Sequence, residues 1–166
     1  MALSKIDTAG LAVDAVDNTI LDLSGDFAGM HFGGTGSANQ LDDYEEGNWT
    51  PALVGGTTTT YGYRQGNYTK IGQLVFVFFD MTVTSLGNGS VSTVGGAPFS
   101  NLGNEALAVS YWSGLAVSPY FVSLQTGNTT FLAVGTTSAT PNITNGMGIF
   151  GNGCRIIASG CYRTSA

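Results

Sequence analysis

Residues 74–84, LVFVFFDMTVT, constrain the fold more than any other stretch of the chain. Successive side chains of a strand point to opposite faces. Val75, Val77, Phe79, Met81 and Val83 therefore fill one face, and Leu74, Phe76 and Phe78 occupy the other, followed by Asp80, Thr82 and Thr84. The first face is wholly apolar and belongs in a core. A strand with a solvated back would be polar along its whole second face. Here half of that face is apolar, so it too must be covered. A neighbouring chain in an oligomer would do this, and so would a second layer of the same chain.

The chain around this strand is punctuated by turns. Residues 50–54 read as a short strand, with Pro51 at its start or on an edge. Residues 61–64 and 66–71 flank a Gln65-Gly66 turn, and Gly87-Asn88-Gly89 precedes a short strand at 90–94. Residues 105–112 alternate, with Ala106, Ala108 and Ser110 on one face and Leu107, Val109 and Tyr111 on the other. Further strands are expected at 115–124, 129–134, 147–150 and 154–159, with a turn at Thr126-Gly127-Asn128. About nine short strands separated by turn residues predict an all-β fold, an antiparallel β-sandwich of jelly-roll-like type.

Residues 1–46 differ in character. They hold Asp7, Asp14, Asp17, Asp22, Asp26, Asp42, Asp43, Glu45 and Glu46 against Lys5 alone. The remainder holds Asp80 and Glu105 against Arg64, Lys70, Arg155 and Arg163. In residues 11–23 the larger apolar side chains are Leu11, Val13, Val16, Ile20, Leu21 and Leu23, a spacing that fits neither helix nor strand cleanly. Such a segment cannot bury these side chains by itself and is expected to order on docking to another subunit or protein. Residues 33–37, GGTGS, read as a flexible joint. The domain expectation is an extended attachment and oligomerisation segment at 1–46, followed by a β-sandwich domain at 47–166.

The two compositions meet at residues 41–51, LDDYEEGNWTP. On composition this is either a solvated acidic linker or a fixed junction in which Tyr44 and Trp49 pack and Pro51 opens the first strand. The same string, followed by GNYTKIG at residues 66–72 and then an apolar strand, resembles a module of bacteriophage tail-fibre and related appendage proteins. Their pattern is close to DYEEGTWTP, then YTKIG, then a hydrophobic strand. The opening residues, MALSKIDTAG and AVDNTILDL, resemble the amino-terminal segment of such proteins. The resemblance covers roughly residues 1–85 and implies a virion structural protein assembled in the host cytoplasm.

Composition excludes several functions. Charged residues are 10% of the chain, against roughly 25% in ordinary soluble domains. The surface is then rich in Thr, Ser, Asn and Gly, or much of it is buried against other chains. A net charge of −6 with no basic patch argues against nucleic acid as a partner. No apolar run approaches the length of a membrane span, and the opening residues lack the pattern of a secretory signal, so no membrane insertion is expected.

No catalytic, cofactor or metal constellation stands out in the sequence. His31 is the only histidine, and Cys154 and Cys161 lie far from it in the chain, which argues against a metal centre or a Ser-His-Asp triad. A glycan hydrolase would need two carboxylates about 5–10 Å apart, and Asp80 and Glu105 are the pair inside the β region. Tyr61, Tyr63, Tyr111, Trp112 and Tyr120, with Phe121, are candidate sugar-stacking or interface residues. The resemblance implies that the chain is a non-enzymatic phage virion component. In the tail-fibre reading it is a homotrimer that attaches to other virion proteins through its first segment and displays a domain for host surface glycan. The alternative is a capsid decoration protein or head fibre, and a glycan hydrolase is the distant third.

Overall fold

A computed structural model describes residues 30–31, 40–41, 43–88, 91, 93–116, 121–136, 144–145 and 148–165. The attachment residues Leu11, Val13, Val16, Ile20, Leu21 and Leu23 lie outside this set, as does Tyr120. The described residues are all β, and the strand pairing is antiparallel throughout.

The chain divides into two compact units, residues 1–42 and 43–166. In the first, β1 (Met30–His31) pairs with β2 (Gln40–Leu41). The second is built on a single curled sheet. Its strands are β3 (Tyr44–Trp49), β4 (Ala52–Val54), β5 (Thr60–Ile71), β6 (Leu74–Ser85), β7 (Thr93–Gly95), β8 (Ala106–Ser113), β9 (Phe121–Gly127), β10 (Thr130–Thr136), β11 (Thr144–Asn145) and β12 (Arg155–Arg163). They lie in the order β3-β5-β6-β12-β8-β9-β10-β7-β4, with β11 paired to β10 off this path. The boundary between the units falls before residue 46 because Tyr44, Glu45 and Glu46 already pair with Ile71, Lys70 and Thr69 of β5.

The curl folds the sheet's inner face onto itself, and the core lies inside the curl. Val75, Val77, Phe79, Met81 and Val83 of β6 are all fully buried, as the alternation predicts. Leu107, Phe131, Ile156, Ala158 and Tyr162 meet them from β8, β10 and β12. An aromatic chain spans the interior. Trp49 meets Phe79 and Phe131 edge-on at 5.6 and 5.9 Å, Phe79 stacks on Phe131 at 6.4 Å, and Phe131 meets Tyr162 at 6.0 Å. Rings from β3, the first strand of the path, and from β10, the seventh, thus touch, which they do only because the sheet is curled.

Trp49-Thr50-Pro51 acquires a structural meaning here. β3 and β4 are the two ends of the strand order, and Thr50 and Pro51 are the only residues between them in the chain. Pro51 is buried, and its missing N–H removes a donor that would otherwise need a partner there. Of the junction residues, Trp49 and Pro51 are buried. Tyr44 instead lies 55% exposed, its hydroxyl donating to Glu46 at 2.9 Å.

Three local expectations are corrected. Gln65 and Gly66 form no turn; they lie inside the continuous strand β5, paired with Asp80 and Phe79. Gly66 is there because the Trp49 ring lies against it: an added Cβ would sit 2.4 Å from the indole. Tyr111 does not share a face with Leu107. The β8–β12 register shifts between Ile157 and Ala158, leaving Ser110 unpaired, so Tyr111 comes opposite Ile157 on the outer face. Ile149 and Phe150 are buried but belong to no strand.

Candidate functional site

The outer face of β5, β6, β12 and β8 gathers the chemistry the sequence singled out. Strand pairing aligns Tyr63 with Thr82 and Thr82 with Arg155. One step along, Gln65 aligns with Asp80, Asp80 with Ile157, and Ile157 with Tyr111. Asp80 and Arg155 close a two-point ion pair across this surface. Arg155 Nε donates to Oδ1 at 3.0 Å and its Nη2 to Oδ2 at 2.7 Å. The Asp80 carboxylate holds the guanidinium charged, its pKa raised above the ordinary arginine value by that hydrogen bond and by the charge behind it.

Tyr63 and Tyr111 flank the pair. Both are nearly half exposed, at 48% and 46%. The Tyr63 hydroxyl donates to the Gln65 side chain, and the Arg155 guanidinium lies 5.7 Å from the centre of the Tyr111 ring. Two exposed rings beside a fixed array of amide, carboxylate and guanidinium groups can stack on a sugar ring and bond its hydroxyls. Trp112, 39% exposed, comes opposite the buried Ile156 and so lies on the other face of β8 from Tyr111. Tyr61 is committed elsewhere. Its hydroxyl accepts the Leu53 backbone N–H at 2.7 Å, and Arg64 covers its ring at 4.4 Å.

The carboxylate pair of the hydrolase reading is not brought together. Asp80 lies opposite Ile157 on β12, while Glu105 accepts from Arg163 Nε at 3.0 Å. Six residues of β12 separate those two positions, roughly 20 Å at about 3.3 Å per residue. Each carboxylate also has its own arginine. Neither lies across an open cleft from the other, as glycoside cleavage requires.

Glu105 sits in a polar knot with Thr126, whose buried hydroxyl accepts from the Glu105 backbone N–H and from Asn101 Nδ2, each at 2.9 Å. The Arg163 hydrogen bond lowers the pKa of Glu105 below the usual glutamate range. A carboxyl more acidic in the folded than in the unfolded chain adds stability above its unfolded pKa, and this is lost as pH falls through the lower folded value. Wild type should therefore lose more stability than Glu105→Gln between pH 6 and pH 3. Urea midpoints of the two proteins at each pH measure it, and parallel curves would refute the coupling.

A second polar feature was not foreseen. β3 and β5 interlock at one end of the sheet. Lys70, buried, bonds to Asp43, and Phe99 lies 5.7 Å from its ammonium group. The Tyr68 ring packs over Gly47, where a Cβ would come within 2.9 Å of it, and its hydroxyl donates to Glu45. A shallow hollow of about 410 Å³ runs beside Glu46, Asn48, Asn67 and Tyr68, but Asn67 already donates to Asn48 across it at 2.6 Å. None of the sequence-predicted aromatic candidates lines this hollow, and the exposed tyrosine pair is the better candidate site. The signal that would have found the interlock is the pairing of the acidic string with GNYTKIG.

Among the described residues no group of three or more His, Cys, Asp or Glu side chains is placed to hold a metal ion. Compared with protein-family models, with curated proteins and with solved structures, the chain matches none.

Proposed function

We propose that this chain is a structural component of a tailed-phage virion, part of a tail fibre or related appendage. Residues 1–46 attach it to other virion proteins, and the curled sheet is displayed as a homotrimer that binds host surface glycan. The observation that carries the reading is the interlock of the two strings on which the resemblance rests. Tyr44–Trp49 pairs residue for residue with Gly66–Ile71, so the acidic string and GNYTKIG are the two halves of one packing unit. Asp43 with Lys70, Gly47 with Tyr68 and Trp49 with Gly66 each need the residue types found at those places. The exposed Tyr63 and Tyr111 beside the Asp80–Arg155 pair support the glycan part.

Reconstruction of the intact virion tests the proposal. Density for this sheet at the tail, in a threefold appendage, is the expected result. Density spread over the capsid lattice would replace it with the decoration-protein reading. Glycan-array binding by the purified full chain, lost in Tyr63→Ala and Tyr111→Ala, tests the displayed site separately. Binding that is absent in wild type, or unchanged in both variants, would remove that site from the proposal.

A further inference from the structure

Five large apolar side chains stand exposed at one end of the outer face: Tyr44 (55%), Ile71 (50%), Leu74 (48%), Phe76 (55%) and Phe78 (40%). The strand register makes them one patch. Tyr44 is opposite Ile71, Ile71 is opposite Leu74, and Leu74, Phe76 and Phe78 follow one another up the same face of β6. Beside Phe76 on the next strand lies Cys161, and beside Phe78 lies Ser159. This is the half-face of β6 that the sequence required to be covered. Among the described residues nothing covers it.

The size of the patch is that of part of a protein interface. Taking roughly 200 Å² per full apolar side chain, the exposed part amounts to about 500 Å². That is at the upper end of what a soluble monomer leaves open. It is more than half of the roughly 800 Å² per partner that a standard interface buries. The small side chains of Ser159, Cys161 and Thr69 border it and extend it without bulk.

Its charge and shape select the partner. Asp80 and Glu105 are closed by Arg155 and Arg163, and Arg163 lies beside Leu74. Glu46 at the β3 rim keeps its charge, because the Tyr44 hydroxyl that bonds it is neutral. The patch itself carries no charge and one such carboxylate stands at its edge, too little to hold an oppositely charged protein or to keep a second copy away. The ladder beneath it is regular: the β5–β6 irregularities lie at Thr60, Tyr61 and Tyr63, at the other end. Turned toward a threefold axis, the regular apolar face of each copy meets those of its two neighbours, so copies of the chain supply the cover. We infer that this face is buried against a second copy of the chain, so that Tyr44, Ile71, Leu74, Phe76 and Phe78 form a subunit interface. The inference rests on the homo-oligomer part of the proposed function.

Cys161 makes it testable. Of the two cysteines, Cys154 is buried and Cys161 is exposed within the patch. The experiment combines sedimentation of the full chain at micromolar concentration with native thiol labelling by a maleimide. The expected result is an oligomer in which Cys161 is shielded. Phe76→Asp, and independently Leu74→Lys, should yield a monomer labelled at least tenfold faster, with an unchanged far-UV circular dichroism spectrum. Two variants are used so that misfolding of one does not decide the matter. An oligomer with freely labelled Cys161, insensitive to both variants, would overturn the inference and leave the oligomer standing. A monomer with freely labelled Cys161 would remove both. A monomer with shielded Cys161 would mean that the chain's own residues cover the face, and would also overturn it.

Discussion

Trp49→Ala should lower the stability of the curled sheet by about 4 kcal/mol, near the middle of the range for deleting a large buried aromatic side chain. The indole is 8% exposed and touches Phe79 and Phe131, which lie on strands far apart in the sheet order. Its removal therefore opens a hole at the point where the curl closes, and no single strand can move in to fill it. The indole Nε1 is buried with no hydrogen-bond partner among the described residues. Trp49→Phe keeps most of the packing and removes that unsatisfied donor, so it should cost under about 1.5 kcal/mol. Urea unfolding followed by far-UV circular dichroism measures both without relying on the deleted fluorophore. Equal losses in the two variants would show that the indole edge does not bridge the two ends of the sheet.

Gly66→Ala is expected to cost about 3 kcal/mol, the upper end for overpacking a core. The position has no unusual backbone requirement. The cost arises because the new methyl group would stand 2.4 Å from the Trp49 ring, which is itself wedged between Phe79 and Phe131. The same substitution in a Trp49→Ala background should be neutral or stabilising by about 0.5 kcal/mol, since alanine loses less conformational freedom in a strand than glycine does. The two sites should thus be strongly non-additive. Additive losses in the double variant would mean that Gly66 is needed for some reason other than the indole.

The sequence was readable where a residue's fate is decided by its own strand. The inner face of β6 follows from alternation alone, and its burial is as the pattern predicts. The exposure of Leu74, Phe76 and Phe78 marks the same face that alternation left in need of a cover. Reading failed where a distant strand decides. Tyr44–Trp49 is rich in acids and contains glycine, which local propensity disfavours in strands, yet it pairs along its length with β5. Gly66 looks like a turn residue until the indole lying on it is known. Tyr111 changes face because of a register shift between β8 and β12 that no local pattern announces. The same limit applies to the candidate site. Its tyrosines were visible as isolated aromatics, but the Asp80–Arg155 pair between them depends on the register of β6 with β12, strands that lie far apart in the chain.

The position of β12 governs how the sheet can be made. β5 and β6 form a hairpin through Gly72 and Gln73, and β9 and β10 form another through Asn128 and Thr129. Each hairpin can pair as soon as it leaves the ribosome, because its contacts are local. β12 is synthesised after all the other strands of the sheet, yet it lies in the middle, joining β6 to β8. Until residues 155–163 emerge, those two strands each keep an unpaired edge, and β6 carries large apolar side chains on both faces. An edge left unpaired in this way is open to edge-to-edge association with a neighbouring chain. Productive assembly depends on the last strand reaching the gap before another chain does.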